Sequence, residues 1–97
     1  MEEGLKLDKG KVKWSLLPWP SLRVVAEVMT FGAVKYAPDN WQKVKDPEPR
    51  YFDAAMRHLT AWKTGEKLDA ETGLPHLAHA ACCVLFLIWF GLDGGDK

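Results

Sequence analysis

The sequence has no excess of charge of either sign. Its 97 residues include 13 lysines and arginines and 13 aspartates and glutamates, so the formal net charge is zero. Proteins that hold long nucleic acid use a broad basic field to neutralise backbone phosphates. The composition therefore argues against long nucleic acid as a partner and is compatible with a small anionic ligand.

The sequence also lacks an apolar run long enough to cross a membrane. The apolar stretch 80–90 has about half of the roughly 20 residues that a membrane-spanning helix needs. The N-terminal sequence MEEGLKLDKGKVKW has no apolar core of the kind found in secretory signal peptides. We therefore expect a cytoplasmic protein that is neither exported nor inserted into a membrane.

Cysteine is scarce, and its placement does not suit a disulfide. Cys82 and Cys83 are adjacent in the chain, and neighbouring cysteines do not reach the geometry of an ordinary bridge to one another. Both lie inside the apolar run, so we expect them to pack as small hydrophobic residues. This use of cysteine fits a reducing cytosol.

Apolar residues, in contrast, are abundant. The hydrophobic fraction is 47%, with five tryptophans, which is high for a chain of a length that supports one domain with a modest core. Three helices would hide only part of this apolar surface. We therefore expect a homo-oligomer.

Three helices account for the periodic part of the sequence, so the predicted fold class is all-α. Pro20 suits the first turn of a helix, and the apolar spacing after it predicts a first helix over about 20–35. Similar spacing predicts a second helix over about 50–64. Pro75 opens a third helix over about 76–91, which is apolar on nearly every side. Such a helix belongs in the middle of a bundle or at an oligomer interface.

The segments outside the helices define the domain organisation. Residues 1–19 are charged and then aromatic, which predicts an extended arm that docks by its hydrophobic tip, on a neighbouring subunit in the expected oligomer. Residues 37–49 hold three prolines and five charges and are predicted to form a loop, anchored by Trp41. The helical domain then spans 20–92, and 93–97 form a frayed tail.

Histidines at the start of the third helix have the spacing of metal ligands. His76 and His79 are three residues apart and share a helix face. Together with Asp69 and Glu71 in the preceding loop, and with Asp53 and His58 on the second helix, they form a candidate carboxylate and imidazole cluster. The other interpretation makes His76 a hydrogen-bonding residue at the helix start and His79 a core histidine with a satisfied ring.

Charged residues on the first two helices have two interpretations each. Asp53 and Arg57 are four residues apart and would form an ordinary ion pair; alternatively, Arg57 faces a phosphate, for which a guanidinium is well suited. Glu27 forms a polar stripe with Arg23 and Thr30 that faces solvent by default. If that stripe faces the second helix instead, Glu27 is a candidate metal ligand or general base.

The end of the first helix and the loop after it hold residue types that recognise a nucleotide. A flat base can stack on Tyr36 or Trp41 while Asn40 hydrogen-bonds its edge and Lys35 meets a phosphate. In the alternative interpretation the two rings fill the core beneath the loop and Asn40 caps a turn.

Four blocks between about residues 6 and 87 carry a family resemblance: KGKVKWSLLPW, VMTFGAVKYAPDNW, YFDAAMRHLTAW and GEKLDAETGLPHLAHA. With KYxxxNW, RHxxAW and GLPHxxHA in this order, the sequence resembles the dATP/dGTP diphosphohydrolase N-terminal domains of bacteriophages. The resemblance implies a helical phage protein that handles nucleotides in the infected bacterial cell. It also implies hydrolysis of a purine deoxynucleoside triphosphate to monophosphate and pyrophosphate, with Mg²⁺ or Mn²⁺ as cofactor.

The sequence departs from the related MazG-type pyrophosphohydrolases, which hold their metals with ExxE and ExxD pairs on facing helices. Neither Glu27 nor Asp53 has a carboxylate three or four residues away, and Mg²⁺ prefers oxygen ligands. This favours a second hypothesis, a non-catalytic sponge without a cofactor that sequesters cyclic-nucleotide or ADP-ribose-type immune signals. A third hypothesis is an interaction module whose aromatic residues all belong to the core.

These arguments give three sets of candidate site residues. The catalytic candidates under the enzymatic hypothesis are Glu27, Asp53 and His58. The ligand-binding candidates, at the junction of the first interhelical loop with the starts of the second and third helices, are Lys35, Tyr36, Asn40, Trp41, Arg57, His76 and His79. The metal candidates are Asp69, His76 and His79.

Overall fold

The structure is a computed structural model that describes residues 4–92. Within this range the chain forms three α-helices and no β-strand, which confirms the predicted all-α class. The predicted tail 93–97 and the first three residues of the predicted arm lie outside the described residues. The helices are α1 (Trp19–Lys35), α2 (Pro47–Lys63) and α3 (His76–Gly91), with short 3₁₀ turns at Trp14–Leu16 and Asn40–Lys43.

The predicted limits of α1 and α3 agree with the structure. Pro20 lies in the first turn of α1, where a missing backbone N–H costs no hydrogen bond. Beyond the end of α1, the N–H of Tyr36 donates to the carbonyl of Gly32 at 2.9 Å. Pro75 precedes α3 in an extended conformation, with φ of −59° and ψ of 136°, so the helix begins at the histidine that follows.

The start of α2 was predicted three residues too late, at residue 50 rather than at Pro47. The prolines of this segment were interpreted as loop residues, but both lie in the first turn of the helix, where the backbone N–H groups have no intrahelical acceptor. Asp46 supplies the change of direction with a left-handed φ of 53°. The predicted loop 37–49 is therefore partly wrong, because it contains a 3₁₀ turn and the first turn of α2.

The core lies where α3 packs against both other helices. Its buried centre consists of Val25 and Val28 from α1 with Ala78 and Cys82 from α3. The thiol of Cys82 donates a hydrogen bond to the carbonyl of Val25 at 3.5 Å. Cys82 and Cys83 are both free and buried, which confirms that they pack as small hydrophobic residues.

Much of the apolar surface of the described chain is exposed. Trp14 and Leu16, the tip of the predicted arm, are 67% and 79% exposed, so this tip does not dock on the body of its own chain. Large apolar side chains of α3, including Leu85 and Ile88, are also exposed. The expected oligomer, which would cover these surfaces, stays a prediction.

None of the helices described within residues 4–92 is long and apolar enough to span a lipid bilayer.

Candidate functional site

A groove of about 690 Å³ opens beside the end of α1, the 3₁₀ turn that follows it, and α2. Its volume is within the range of small-molecule binding sites. The buried thiols of Cys82 and Cys83 and the half-buried ring of Phe86 give it an apolar base. The structure brings six of the seven predicted ligand-binding residues to this groove: Lys35, Tyr36, Asn40, Trp41, Arg57 and His79.

The aromatic wall of the groove is built around Trp41. Its ring stacks on Phe86 with centroids 4.3 Å apart and an interplanar angle of 9°, and it meets Trp89 edge-on at 5.0 Å. The hydroxyl of Tyr51 donates to the carbonyl of Trp41 at 2.9 Å. These contacts fix the 3₁₀ turn on α3, as expected for an anchored loop. Tyr36, in contrast, is 64% exposed, so its ring is accessible to a stacking partner.

Three cationic side chains line the groove. Lys35 donates to the carboxylate of Glu71 at 2.5 Å, and this hydrogen bond raises the pKa of Lys35 above its ordinary value. Arg50 donates to a backbone carbonyl, that of Lys45, at 3.3 Å. Arg57 forms no ion pair with Asp53 or with another carboxylate of residues 4–92. The alternative interpretation of Arg57 as the partner of Asp53 is therefore wrong.

Three imidazoles from α2 and α3 meet beside the groove. The ring of His58 stacks on His79 at 4.6 Å, and its Nδ1 lies 2.8 Å from Nδ1 of His76. The other ring nitrogen of His76 is 2.9 Å from the carboxylate of Glu66. His79 Nε2 is 2.7 Å from the hydroxyl of Thr72. His76 is buried and does not line the groove, whereas His58 and His79 do.

The environment of the cluster keeps two of these rings neutral. Burial lowers the pKa of His58, and the neighbouring His79 and His76 lower it further. Burial also lowers the pKa of His79, although Asp69 opposes this effect. Because the ordinary pKa of histidine is about 6.5, both rings are mainly uncharged at pH 7 and each offers one nitrogen lone pair.

Asp69 holds the turn that leads into α3. One of its carboxylate oxygens, Oδ1, accepts the backbone N–H groups of Glu71 and Thr72, both at 2.9 Å. Burial alone would raise the pKa of Asp69, but these hydrogen bonds, with Thr72 the larger contributor, outweigh burial and lower it. Asp69 therefore caps a turn, and its carboxylate is held in a fixed orientation.

The three catalytic candidates do not come together. Glu27 is exposed and pairs with Arg23 at 3.5 Å on the outer face of α1, so the polar stripe of this helix faces solvent. Asp53 is exposed on α2 and is not among the residues that line the groove. Of the three candidates, only His58 lines the groove, and a catalytic role for any of them stays a prediction.

The metal candidates are only partly brought together. Among the described residues, His58, Asp69 and His76 each place one ligand atom so that all three atoms lie within 4.8 Å of one another. His79, which was predicted as a metal ligand from its spacing to His76, is not part of this group. The third member is His58. Sequence reasoning missed Glu66 entirely, since no local pattern connects it with a ring ten residues later.

Comparison with known proteins identifies the family. The family model described as "dATP/dGTP diphosphohydrolase, N-terminal" matches residues 1–97. A protein named dATP/dGTP diphosphohydrolase from Salmonella phage PMBT28 is 40% identical over 86 residues, which cover 89% of this chain but 29% of that relative. No solved structure matches the chain. The chain therefore belongs to the family of dATP/dGTP diphosphohydrolase N-terminal domains, as the four sequence blocks indicated.

Proposed function

We propose that this chain binds a purine deoxynucleoside triphosphate in the groove and supplies the nucleotide-binding part of a phage dATP/dGTP diphosphohydrolase. The observation that carries the proposal is the composition of the groove lining. An accessible ring, an amide and three cationic side chains surround an apolar base in a cavity of about 690 Å³. The name of the phage relative supports the choice of purine deoxynucleotides.

Residues at the end of α1 and in the 3₁₀ turn are expected to recognise the base. The exposed ring of Tyr36 offers a stacking face, and Asn40 offers both a hydrogen-bond donor and an acceptor for a base edge. Trp41 contributes less to stacking, because Phe86 already covers one face of its ring. The ammonium of Lys35 lies over one face of the Tyr36 ring, 5.3 Å from its centroid. The base is therefore expected to stack on the opposite face of Tyr36.

Arg57 is expected to bind the phosphate groups. It lines the groove and has no carboxylate partner within residues 4–92, so its planar guanidinium is available for a bidentate contact with phosphate oxygens. Lys35 also lines the groove, but a phosphate would have to compete with Glu71 for its ammonium. Arg57 is therefore the expected main phosphate contact.

The residues described do not fit a carboxylate-held magnesium centre. Such a centre requires several carboxylate oxygens around one ion. Glu27 and Asp53 lie outside the groove lining. Two carboxylates line the groove, those of Asp39 and Glu71, and Glu71 is engaged by Lys35. We therefore assign nucleotide binding to this chain and derive no hydrolytic step from its residues. The phage relative has about 70% of its length outside the matched region, where further catalytic groups can lie.

A titration of the purified chain with each of the four deoxynucleoside triphosphates tests binding. We expect dATP and dGTP to bind more tightly than dCTP and dTTP and to raise the melting temperature. Arg57→Ala should weaken binding by about tenfold or more, equivalent to about 1.4 kcal/mol, whereas the matched control Arg23→Ala should leave it unchanged. Equal affinities of the two arginine variants, or no thermal shift with any nucleotide, would contradict the proposal.

A second candidate function is sequestration without hydrolysis, for which the dispersed acidic side chains argue. In this case the groove binds a cyclic-nucleotide or ADP-ribose-type signal and releases it chemically unchanged. Mass analysis of nucleotide recovered from the denatured complex distinguishes the two functions. Recovery of monophosphate from dATP or dGTP, in the presence of Mg²⁺ or Mn²⁺, would exclude simple sequestration.

A further inference from the structure

We propose that His58, His76 and Asp69 form a binding site for a divalent transition metal beside the groove. The three ligand atoms lie within 4.8 Å of one another, and they come from α2, the turn before α3, and the first residue of α3. The site does not depend on the proposed nucleotide binding, because all three metal ligands are side chains of the protein.

The spacing of the two imidazoles is close to that of ligands on a tetrahedral ion. Metal–nitrogen bonds of about 2.05 Å at tetrahedral angles place the two nitrogens about 3.3 Å apart. The Nδ1 atoms of His58 and His76 are 2.8 Å apart. An ion therefore requires them to separate by only about 0.5 Å, which small rotations of the two rings can provide.

Hydrogen bonding prepares His76 for this role. Its Nε2 lies 2.9 Å from a carboxylate oxygen of Glu66, so Nε2 carries the proton and donates, which leaves the lone pair on Nδ1. Donation from a metal-bound histidine to a carboxylate is the usual way in which a second carboxylate orients such a ligand. His76 is also 5% exposed, so its ring has little freedom to leave this position.

The proton count of the cluster balances when an ion enters. In the metal-free chain with both rings neutral, donation from His76 Nε2 to Glu66 means that His58 Nδ1 carries the proton shared with His76 Nδ1. On metal binding His58 moves its proton to Nε2 by exchange with solvent, and both Nδ1 lone pairs become available. No net proton is released, and the His58–His76 hydrogen bond is replaced by two metal–nitrogen bonds.

The donor set selects the class of metal. Two imidazole nitrogens and one carboxylate oxygen suit Zn²⁺ or Co²⁺, whereas Mg²⁺ favours oxygen ligands throughout. Three protein ligands leave a fourth position for water or a ligand. His58 also lines the groove, so the ion would lie next to a bound nucleotide.

Calorimetric titration of the untagged, EDTA-treated chain with Zn²⁺, in the absence of nucleotide, tests the site. We expect one Zn²⁺ per chain and no binding of Mg²⁺ at the same concentration. His58→Gln and Asp69→Asn should each weaken Zn²⁺ binding by about 100-fold, and Glu66→Gln by about tenfold. His79→Gln removes the ring stacked on His58 and the partner of Thr72, and should weaken binding by less than His58→Gln does. The matched control is Asp53→Asn, which changes an exposed carboxylate of α2 outside the groove and should retain wild-type affinity.

Asp69→Asn is informative because an asparagine oxygen can still accept the two backbone N–H groups of the turn, so the variant should remain folded. Nitrogen-15 spectra of the wild-type imidazoles give a readout that needs no substitution. Zn²⁺ should shift the Nδ1 resonances of His58 and His76 and leave those of His79 nearly unchanged.

Three results would overturn the assignment. They are a wild-type chain that binds no Zn²⁺, binding that persists in both His58→Gln and Asp69→Asn, and loss of binding in His79→Gln with retention in His58→Gln. Since nucleotide binding is measured separately through Arg57, failure of the metal site and failure of the proposed function give different results.

Discussion

At the residue scale, the adjacent cysteines illustrate how burial dominates the reactivity of a thiol. Burial, with a smaller contribution from Cys83, raises the pKa of Cys82 from 9.0 to about 12. Burial also raises the pKa of Cys83. Because the thiolate is the reactive form, both thiols of the folded chain should be inert at neutral pH, in keeping with a role in packing.

This shift predicts an alkaline loss of stability. In the unfolded chain Cys82 ionises near its ordinary pKa, whereas the folded chain keeps the thiol neutral. The free energy of unfolding is therefore unaffected by Cys82 below about pH 9 and falls as the pH rises from there towards 12. Urea unfolding at a series of pH values measures the decline, and Cys82→Ala should reduce its slope. Rapid alkylation of the folded wild-type chain by iodoacetamide at pH 8 would contradict this account.

Residue types and spacing identified some of the site, and tertiary contacts determined the rest. Lys35, Tyr36, Asn40 and Arg57 were chosen for their chemistry, and all of them line the groove. His79 was chosen as a metal candidate for its spacing to His76, yet its ring bonds to Thr72. His58 approaches His76 only because α2 packs against α3, and no local sequence pattern contains that information.

At the scale of elements, the helix limits depend on the few residues at each end. The apolar spacing and Pro75 were sufficient to predict α3, but the two prolines before residue 50 were interpreted as loop residues rather than as the first turn of α2. Proline is compatible with both states. The left-handed conformation of Asp46, which starts the helix at Pro47, is not a strong preference of aspartate and could not be read from the sequence.

The 3₁₀ turn between α1 and α2 should depend on one ring. Trp41→Ala removes the stack on Phe86 and the edge contact with Trp89, and should lower the free energy of unfolding by about 2–3 kcal/mol, below the value for a fully buried tryptophan. Trp14→Ala is the matched control, because its ring is 67% exposed, and should change stability by less than about 0.5 kcal/mol. Urea denaturation of both variants provides the measurement, and equal losses would show that the turn is not anchored in this way.

At the scale of the whole molecule, one chain does not cover its own apolar residues. The accessible surface is 7916 Å², whereas a compact monomer of this mass has about 5600 Å². Exposed apolar side chains near the N-terminal end of the described chain, Trp14 and Leu16 among them, account for part of the difference. The rest includes apolar side chains of α3, as expected for a helix that is apolar on nearly every side.

We therefore expect the chain to self-associate in solution through α3 and the arm. Ile88 is 52% exposed on α3, and Ile88→Lys would place a charge in the expected interface, where it has no partner, so it should shift the assembly towards monomer. Val34→Lys is the matched control, because Val34 is 83% exposed on α1, outside the expected interface. Sedimentation velocity over a range of concentrations measures the mass of each variant. A wild-type chain that stays monomeric at every concentration would show that a second copy does not cover the exposed apolar surface. Equal dissociation of the assembly in the Ile88→Lys and Val34→Lys variants would place the interface outside α3.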